Sequence, residues 1–445
     1  MNETELRVIE ICAGAGGQAL GLERAGFEHE LAIELDANAV NTLRANRNWE
    51  VLPGDVASVW DPEDYGPKSG KRQIDLLAGG VPCPPFSIAG RQLGAHDERD
   101  LFAWAVEQVG ELQPRALLLE NVRGLSMPRF SGYRQHVLDK LRKFEYVAEW
   151  KLIQASDYGV PQLRPRFVLV AMKEKDFDYF RWPVPVKRTP TVGEALRDIM
   201  KRKNVFKDDE ALEEWVARAN KIAPTIVGGS KKHGGADLGP TRAKRAWAEM
   251  GVDAYGLHDD DLPYSQNDRS FTALGPKLTP EMVARIQGWD DGEFSWMFTG
   301  KKTSKYRQIG NAFPPPVAKA LGLSIANALN HVTTDDARNR VQADRLTRGS
   351  SAVGAVVDPV YRTLRDFDDY LTAAEISAKN KFAIDIIEVE RRIKILGFDF
   401  EIDERKRDEG GEVSTEYRIG KFHAFTGQDD HSRHEAFENN RAKIS

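Results

Sequence analysis

One stretch limits the choice of fold more than any other. Ile74-Asp75-Leu76-Leu77-Ala78 is an apolar run of strand length, and it leads into Gly79-Gly80-Val81-Pro82-Cys83-Pro84-Pro85-Phe86-Ser87. Proline fixes φ and gives up its amide donor, so three prolines around one cysteine make a stiff, non-helical loop at a strand end. Ligands and chemistry gather at such ends in open α/β sheets. A rigid loop presenting Cys83 suits a nucleophile that must be aimed. A free cysteine is equally at home as a small core residue, and the loop alone leaves both readings open.

The chain before this loop repeats one unit. Leu6 to Cys12 reads as a short apolar strand, Ala13-Gly14-Ala15-Gly16-Gly17 as a glycine loop, and Gln18 to Ala25 as a helix. Glycines let a ligand approach the backbone, and a helix N-terminus favours a negative group. A second strand, Glu30 to Ile33, ends in Glu34, an acid placed to bind ribose hydroxyls. After a helix from Ala37 to Asn46, a third strand, Val51 to Val56, carries Asp55 near its end. Glycines, Glu34 and Asp55 at three successive strand ends describe an adenosine pocket better than any one of them does.

Beyond the cysteine loop, Ile88 to Asp100 is polar and reads as a mobile loop, followed by a helix from Leu101 to Leu112. The strand Ala116 to Leu119 ends in Glu120-Asn121-Val122. A carboxylate there is costly unless it has work or a partner, and Arg123 or Arg129 is within reach as a partner. If this strand neighbours the one before Cys83, a thiolate and a carboxyl face one cleft, an attack-and-protonate pair. A helix from Tyr133 to Phe144 and a strand from Tyr146 to Ile153 follow. The turn Tyr158-Gly159-Val160-Pro161 then precedes Gln162-Leu163-Arg164-Pro165-Arg166 and a strand, Phe167 to Ala171. Arg164 and Arg166 share a face in extended chain and can hold a carbonyl, carboxylate or phosphate.

Composition narrows the class. The chain has 445 residues, enough for two or three domains, and no apolar run that could span a membrane. The start, Met-Asn-Glu-Thr-Glu, does not resemble a signal peptide. Two cysteines exclude a disulfide framework and a cysteine-rich zinc site, so no metal is expected and a reducing cytoplasm is. A net charge of −5 weighs against nucleic-acid binding unless the basic residues cluster.

The order of motifs resembles the DNA (cytosine-5)-methyltransferases. Ala13 to Gly17 is similar to their first, cofactor-binding motif, Pro82-Cys83 with Phe86-Ser87 to their catalytic loop, and Glu120-Asn121-Val122 to their Glu-Asn-Val motif. Gln162, Arg164 and Arg166 match a Gln-x-Arg-x-Arg motif. Leu278-Thr279-Pro280-Glu281 with Arg285-Ile286-Gln287-Gly288, then Arg307-Gln308-Ile309-Gly310-Asn311-Ala312-Phe313-Pro314-Pro315-Pro316, resemble the last two. The resemblance runs from Ile9 to Ala328 and implies a Rossmann-like α/β sheet with an inserted target recognition domain.

It also implies roles. Cys83 would attack C6 of a flipped-out cytosine, Glu120 would hydrogen-bond N3, and Arg164 and Arg166 would steady the base. S-adenosyl-L-methionine would lie against Cys12, Ala13, Gly14, Ala15, Gly16 and Gly17. Glu34 and Leu35 would take its ribose, and Asp55 and Val56 its adenine. Pro82, Leu101 and Asn311 would complete the site. Ser87 and Arg91, with the mobile loop, would close over double-stranded DNA. Two departures stand out: Pro84 follows the cysteine where many relatives have Gln, and Cys12 stands where many have a Phe stacked on the adenine. The first predicts a stiffer loop, the second a looser cofactor.

Between the matched blocks, Lys221 to Met250 holds six basic and two acidic residues. Lys231, Lys232, Arg242, Lys244 and Arg245 are candidate DNA contacts, since Lys and Arg neutralise phosphates or read guanine edges. The expected layout is a catalytic domain over 1–180, completed by 302–332, with the recognition domain over 181–301. A linker over 333–359, a winged-helix-like α+β module over 360–425 and a disordered tail over 426–445 follow. The module's third helix carries Arg391, Arg392 and Lys394, which fits a second DNA contact or a docking surface for a partner. The whole suggests a monomeric, cytoplasmic modification enzyme of a restriction-modification system with a cognate endonuclease. A tRNA methyltransferase and a non-catalytic DNA-binding regulator on the same fold stay open; a nucleotide-binding oxidoreductase leaves the Pro-Cys loop unexplained.

Overall fold

The computed structural model describes residues 5–81, 99–228, 236–332, 358–367, 369–381, 383–397, 399–409 and 412–422. Its centre is a seven-stranded sheet: β1 (Leu6–Ile11), β2 (Phe27–Glu34), β3 (Val51–Pro53), β4 (Leu76–Gly79), β5 (Ala116–Val122), β6 (Tyr146–Gln154) and β7 (Pro165–Lys173). The spatial order is β3-β2-β1-β4-β5-β7-β6. All neighbours are parallel except β7, which runs antiparallel to both β5 and β6.

Both faces of this sheet are covered, which is why its strands read as continuous apolar runs. Alternate residues serve opposite layers. Ile9 and Ile11 of β1, with Leu117 and Leu119 of β5, pack under the helices Arg99–Leu112 and Ser131–Lys143. Val8, Leu76 and Leu118 pack under Gly17–Arg24 and Pro315–Leu329. Those two helices lie so close that a side chain on Gly21 would collide with Ala318 and the Pro315 carbonyl. The chain leaves β1 toward β2 on one side and reaches β4 on the other, so the crevice opens where the strand order reverses.

Several boundaries differ from the sequence expectation. β5 continues through Glu120 to Val122, because the antiparallel β7 extends the ladder with Glu120 opposite Val168 and Val122 opposite Arg166. Glu120 is therefore a strand residue, not a strand-end residue. The helix after the cysteine loop begins at Arg99, inside the expected loop.

The regular elements of the 181–301 segment are helices joined by long loops, with Val192–Arg202, Asp209–Arg218, Thr241–Glu249 and Pro280–Gln287 around Leu196, Trp247 and Met282. Its core also takes in Tyr306 and Ile309 from the helix Lys302–Asn311, so the insert and the last motif share one apolar interior.

After Asp358 come the helices Pro359–Asp366, Ala373–Lys379 and Ile386–Leu396 and a sheet of order β8-β10-β9: β8 (Leu371–Thr372), β9 (Phe400–Glu409), β10 (Glu412–Phe422). The first of these helices stops at Asp366, and β9 runs through Arg407 to Glu409. Thr372 and Glu375 form a capping box. The module docks on the helix Ser131–Lys143. His136 stacks on Phe422 at 4.2 Å, and the Ser131 hydroxyl donates to Asp358 at 2.9 Å. Burial and the nearby Lys140 push the His136 pKa down to about 4, so the stacked ring is neutral. The expected linker (within 333–357) and tail (426–445) lie outside the described residues.

Candidate active site

The loop after β1 is shaped by three left-handed residues, Cys12 (φ 50°), Gly14 (φ 55°) and Gly16 (φ 88°). Cys12 is the costly one, since a side chain is disfavoured there. This turn aims the Gly14 amide at Glu34, whose Oε2 accepts it at 2.7 Å, while Oε1 accepts the Asp36 amide at 2.7 Å. Two main-chain donors thus fix the acid at the end of β2. Burial nevertheless raises its pKa. Asp55 starts the short helix Val56–Val59 as its cap, accepting from the Ala57 amide.

These strand ends enclose a cavity of about 300 Å³. Its lining includes Cys12, Ala13, Gly14, Ala15 and Gly17 from the loop, Glu34 and Leu35, Asp55 and Val56, Leu101, and Asn311. Gly16, expected among them, is not in the lining. It packs closely instead, since a Cβ there would lie 2.6 Å from the Trp296 ring. Trp296 in turn donates to the Ala15 carbonyl at 2.8 Å. The donor set fits S-adenosyl-L-methionine: fixed acids at the ends of β2 and β3 suit ribose hydroxyls and an adenine amine, and the open glycine loop leaves room for a chain.

The sequence reading missed other lining residues. Glu10, Gln18, Asp36, Ser304, Arg307 and Gln308 all face this cavity. Glu10 is buried, with Oε2 at 3.1 Å from His29 Nε2 and its other oxygen unpartnered. Both amide atoms of buried Gln18 lack partners. Ser304 and Arg307 could have been found by stepping back along the helix from Asn311 at helical spacing.

Glu120 and Gly80 also line the cavity. Glu120 Oε1 meets Arg166 Nε at 2.5 Å, a buried pair, so neither Arg123 nor Arg129 is needed as its partner. Burial raises the Glu120 pKa against the opposing pull of Arg166 and Arg164. Next along β5, Asn121 Nδ2 donates to the Val81 carbonyl at 3.2 Å and so ties down the start of the cysteine loop. Cys83 itself, with Pro82, Ser87 and Arg91, lies outside the described residues.

The two arginines expected to act alike do not. Arg166 faces Glu120. Arg164, 1% exposed, donates to three main-chain carbonyls: Ile226 at 2.7 Å, Gly310 at 2.8 Å and Ala312 at 3.0 Å. Gln162 completes this clamp, accepting from the Ile226 amide at 2.9 Å and donating to Gln287 at 2.5 Å. The motif therefore knits the insert to the Gly310–Ala312 turn beside the cavity. Gly228 lies against Asn311 so closely that no side chain would fit.

Of the expected DNA contacts, Lys231 and Lys232 lie outside the described residues. Arg242 and Arg245 are exposed on the helix Thr241–Glu249, whose Ala243 and Trp247 are buried. Lys244 is less available than expected, being paired with Asp237 at 2.7 Å. Among the described residues no cluster of His, Cys, Asp and Glu could hold a metal ion, and no helix is long and apolar enough to cross a membrane.

A glycine-looped cavity joined to a buried Glu–Arg pair at the reversal point of a mixed sheet defines a methyltransferase of the Rossmann-like kind. The chain belongs to the C-5 cytosine-specific DNA methylase family, which matches residues 6–327. It is a DNA cytosine-5 methyltransferase, and its family uses S-adenosylmethionine as methyl donor. It is 57% identical over 441 residues to the Type II methyltransferase M.NaeI of Lentzea aerocolonigenes, covering 99% of both chains. It is 48% identical to the Type II methyltransferase M.NgoMIV of Neisseria gonorrhoeae, over 97% of that protein but 72% of this one. A third, M.Sau96I of Staphylococcus aureus, is 33% identical over 73% of this chain. The tRNA enzyme and the non-catalytic regulator left open by the sequence are not favoured.

Proposed function

We propose that the chain methylates C5 of a cytosine in double-stranded DNA through a covalent adduct at Cys83, with S-adenosyl-L-methionine held in the cavity at the strand ends. A base inside the duplex is out of reach, so the target cytosine turns out of the helix. The Cys83 thiolate adds to C6, opening the C5–C6 double bond and leaving C5 nucleophilic. Glu120 meets N3 as that nitrogen gains electron density. Burial raises its pKa above the ordinary carboxylate value, the direction that favours a proton on this carboxyl. Arg166 fixes the carboxyl and faces the base, while Arg164 acts as scaffold. When bound, the cofactor supplies the methyl group to C5. Loss of the C5 proton then restores the double bond and expels Cys83.

The observation that carries this reading is the buried Glu120–Arg166 pair on the cavity wall beside Gly80, where the cysteine loop begins. Residues 1–180 with 302–332 serve catalysis and 181–301 recognition, with Arg242 and Arg245 toward the phosphates. Because high-identity relatives are Type II methyltransferases, we assign the chain to the modification half of a restriction-modification system, a cytoplasmic monomer acting opposite a cognate endonuclease. The test is transfer of labelled methyl groups to mixed genomic DNA and to total tRNA, with Cys83→Ala as control. Label on DNA cytosine that vanishes in the variant supports the reading. Label on tRNA alone, or on DNA without need of Cys83, overturns it.

A further inference from the structure

The charges around the cofactor cavity are lopsided. Glu10, Glu34, Asp36, Asp55 and Glu120 are acidic, and Arg307 is the one basic side chain among the described lining residues. The acids are held by their own partners. Glu10 has His29, Glu34 two amides, Asp36 the Asn38 and Ala39 amides, and Glu120 Arg166. Arg307 has no such partner among the described residues, and its Nε is shut away from solvent without an acceptor. A buried donor without an acceptor is destabilising, so the Arg307 Nε is an unmet donor at the cavity. Arg307 lies one helical turn from both Ser304 and Asn311, so the three share a face, and all three line the cavity.

We propose that Arg307 binds the carboxylate of the methionine portion of S-adenosyl-L-methionine, an assignment that rests on the cofactor reading above. The cofactor carries a sulfonium, an ammonium and one carboxylate. Acidic walls suit the two cations and the adenosine hydroxyls, and Arg307 is the one cationic side chain among the described lining residues that can pair with the carboxylate. A guanidinium offers two parallel donors that match a carboxylate. A DNA phosphate presents the same anionic oxygens, and Gly228 of the insert packs against the same helix. The position of Arg307 in the cavity wall favours the cofactor.

The experiment is calorimetry on the full chain with two probes: S-adenosylhomocysteine, which keeps the carboxylate, and 5′-methylthioadenosine, which lacks the amino-acid portion. Arg307→Ala is expected to weaken the first by about ten- to hundredfold and leave the second unchanged, with Arg307→Lys between. Unchanged methylthioadenosine binding also reports an intact pocket. The proposal is overturned if S-adenosylhomocysteine loses less than about threefold, or if both probes weaken equally, as a structural role requires. It is also overturned if the variant instead loses DNA affinity, with a salt slope shallower by about one, because that assigns Arg307 to a phosphate. Failure of the wild-type chain to bind either probe overturns the cofactor reading as well.

Discussion

The crevice at the ends of β1, β2 and β4 and the surface of the 181–301 insert use charge in opposite ways. In the crevice, acids are buried and anchored: Glu34 by two amides, Glu120 by Arg166, Glu10 by His29. On the insert, pairs such as Arg197–Glu213 and Lys201–Asp209 are exposed, and Arg242 and Arg245 reach solvent. Exposed pairs contribute about 0–1 kcal/mol, while breaking a buried one costs about 3–5 kcal/mol. The crevice is thus built for fixed geometry. The insert can exchange its exposed charges at little cost to the fold.

The largest expected effect is at the loop that serves the crevice. Cys83→Ala should lower methyl transfer by at least about four orders of magnitude with unchanged S-adenosylhomocysteine affinity, read by label transfer and calorimetry. Glu120→Gln should lower turnover by about 10²–10⁴. It also carries a sign in stability. A carboxyl whose pKa is higher folded than unfolded holds its proton better in the folded chain, so wild-type stability falls as pH rises from about 4.3 toward the raised value. Denaturant titrations across that window should show the slope in the wild type and a flatter profile in Glu120→Gln.

Arg164 and Arg166 sharpen the contrast inside one motif. Arg164→Met should cost roughly 3 kcal/mol or more of stability, since three buried carbonyls lose their donor. Arg166→Met should cost less stability and more turnover, about 10²–10³ in kcat. Equal losses in both quantities would erase the distinction. The smallest effect belongs to the insert. Arg242→Ala with Arg245→Ala should leave turnover at saturating DNA unchanged and lower the salt dependence of DNA binding by up to about two charges.

The sequence exposed most of the sheet because apolar runs, glycine loops and capping residues are local signals. The same locality made Cys12, Glu34, Asp55 and Asn311 readable as residues of one cavity, each sitting at a strand or helix end. What stayed hidden is long-range. The Arg164 clamp reaches Gly310 and Ala312 across nearly 150 positions, and no local pattern separates it from Arg166 two residues away. The close packing of Gly16 under Trp296 stayed hidden too, because spacing cannot reveal the ring above it. Glu10 and Gln18 looked like ordinary strand and helix residues, and their orphaned polar atoms appear only in three dimensions.

The C-terminal module shows the same limit. Its helices and hairpin were legible, but not its seat on the helix Ser131–Lys143. Its basic helix is also partly neutralised, with Arg391 and Arg392 both paired to Glu388, whose pKa is drawn down to about 2.

We propose that Cys83 attacks the cytosine in a cleft prepared by Glu120 and Arg166. This attack is tested most directly with random-sequence DNA copied with 5-fluorocytosine in place of cytosine. Fluorine at C5 cannot leave as a proton, so after methyl transfer the adduct has no way to release the enzyme. The account predicts a complex that survives denaturing electrophoresis, requires S-adenosylmethionine and is absent with Cys83→Ala. A chain that methylates ordinary DNA yet forms no such complex, or forms it equally without Cys83, would contradict the account.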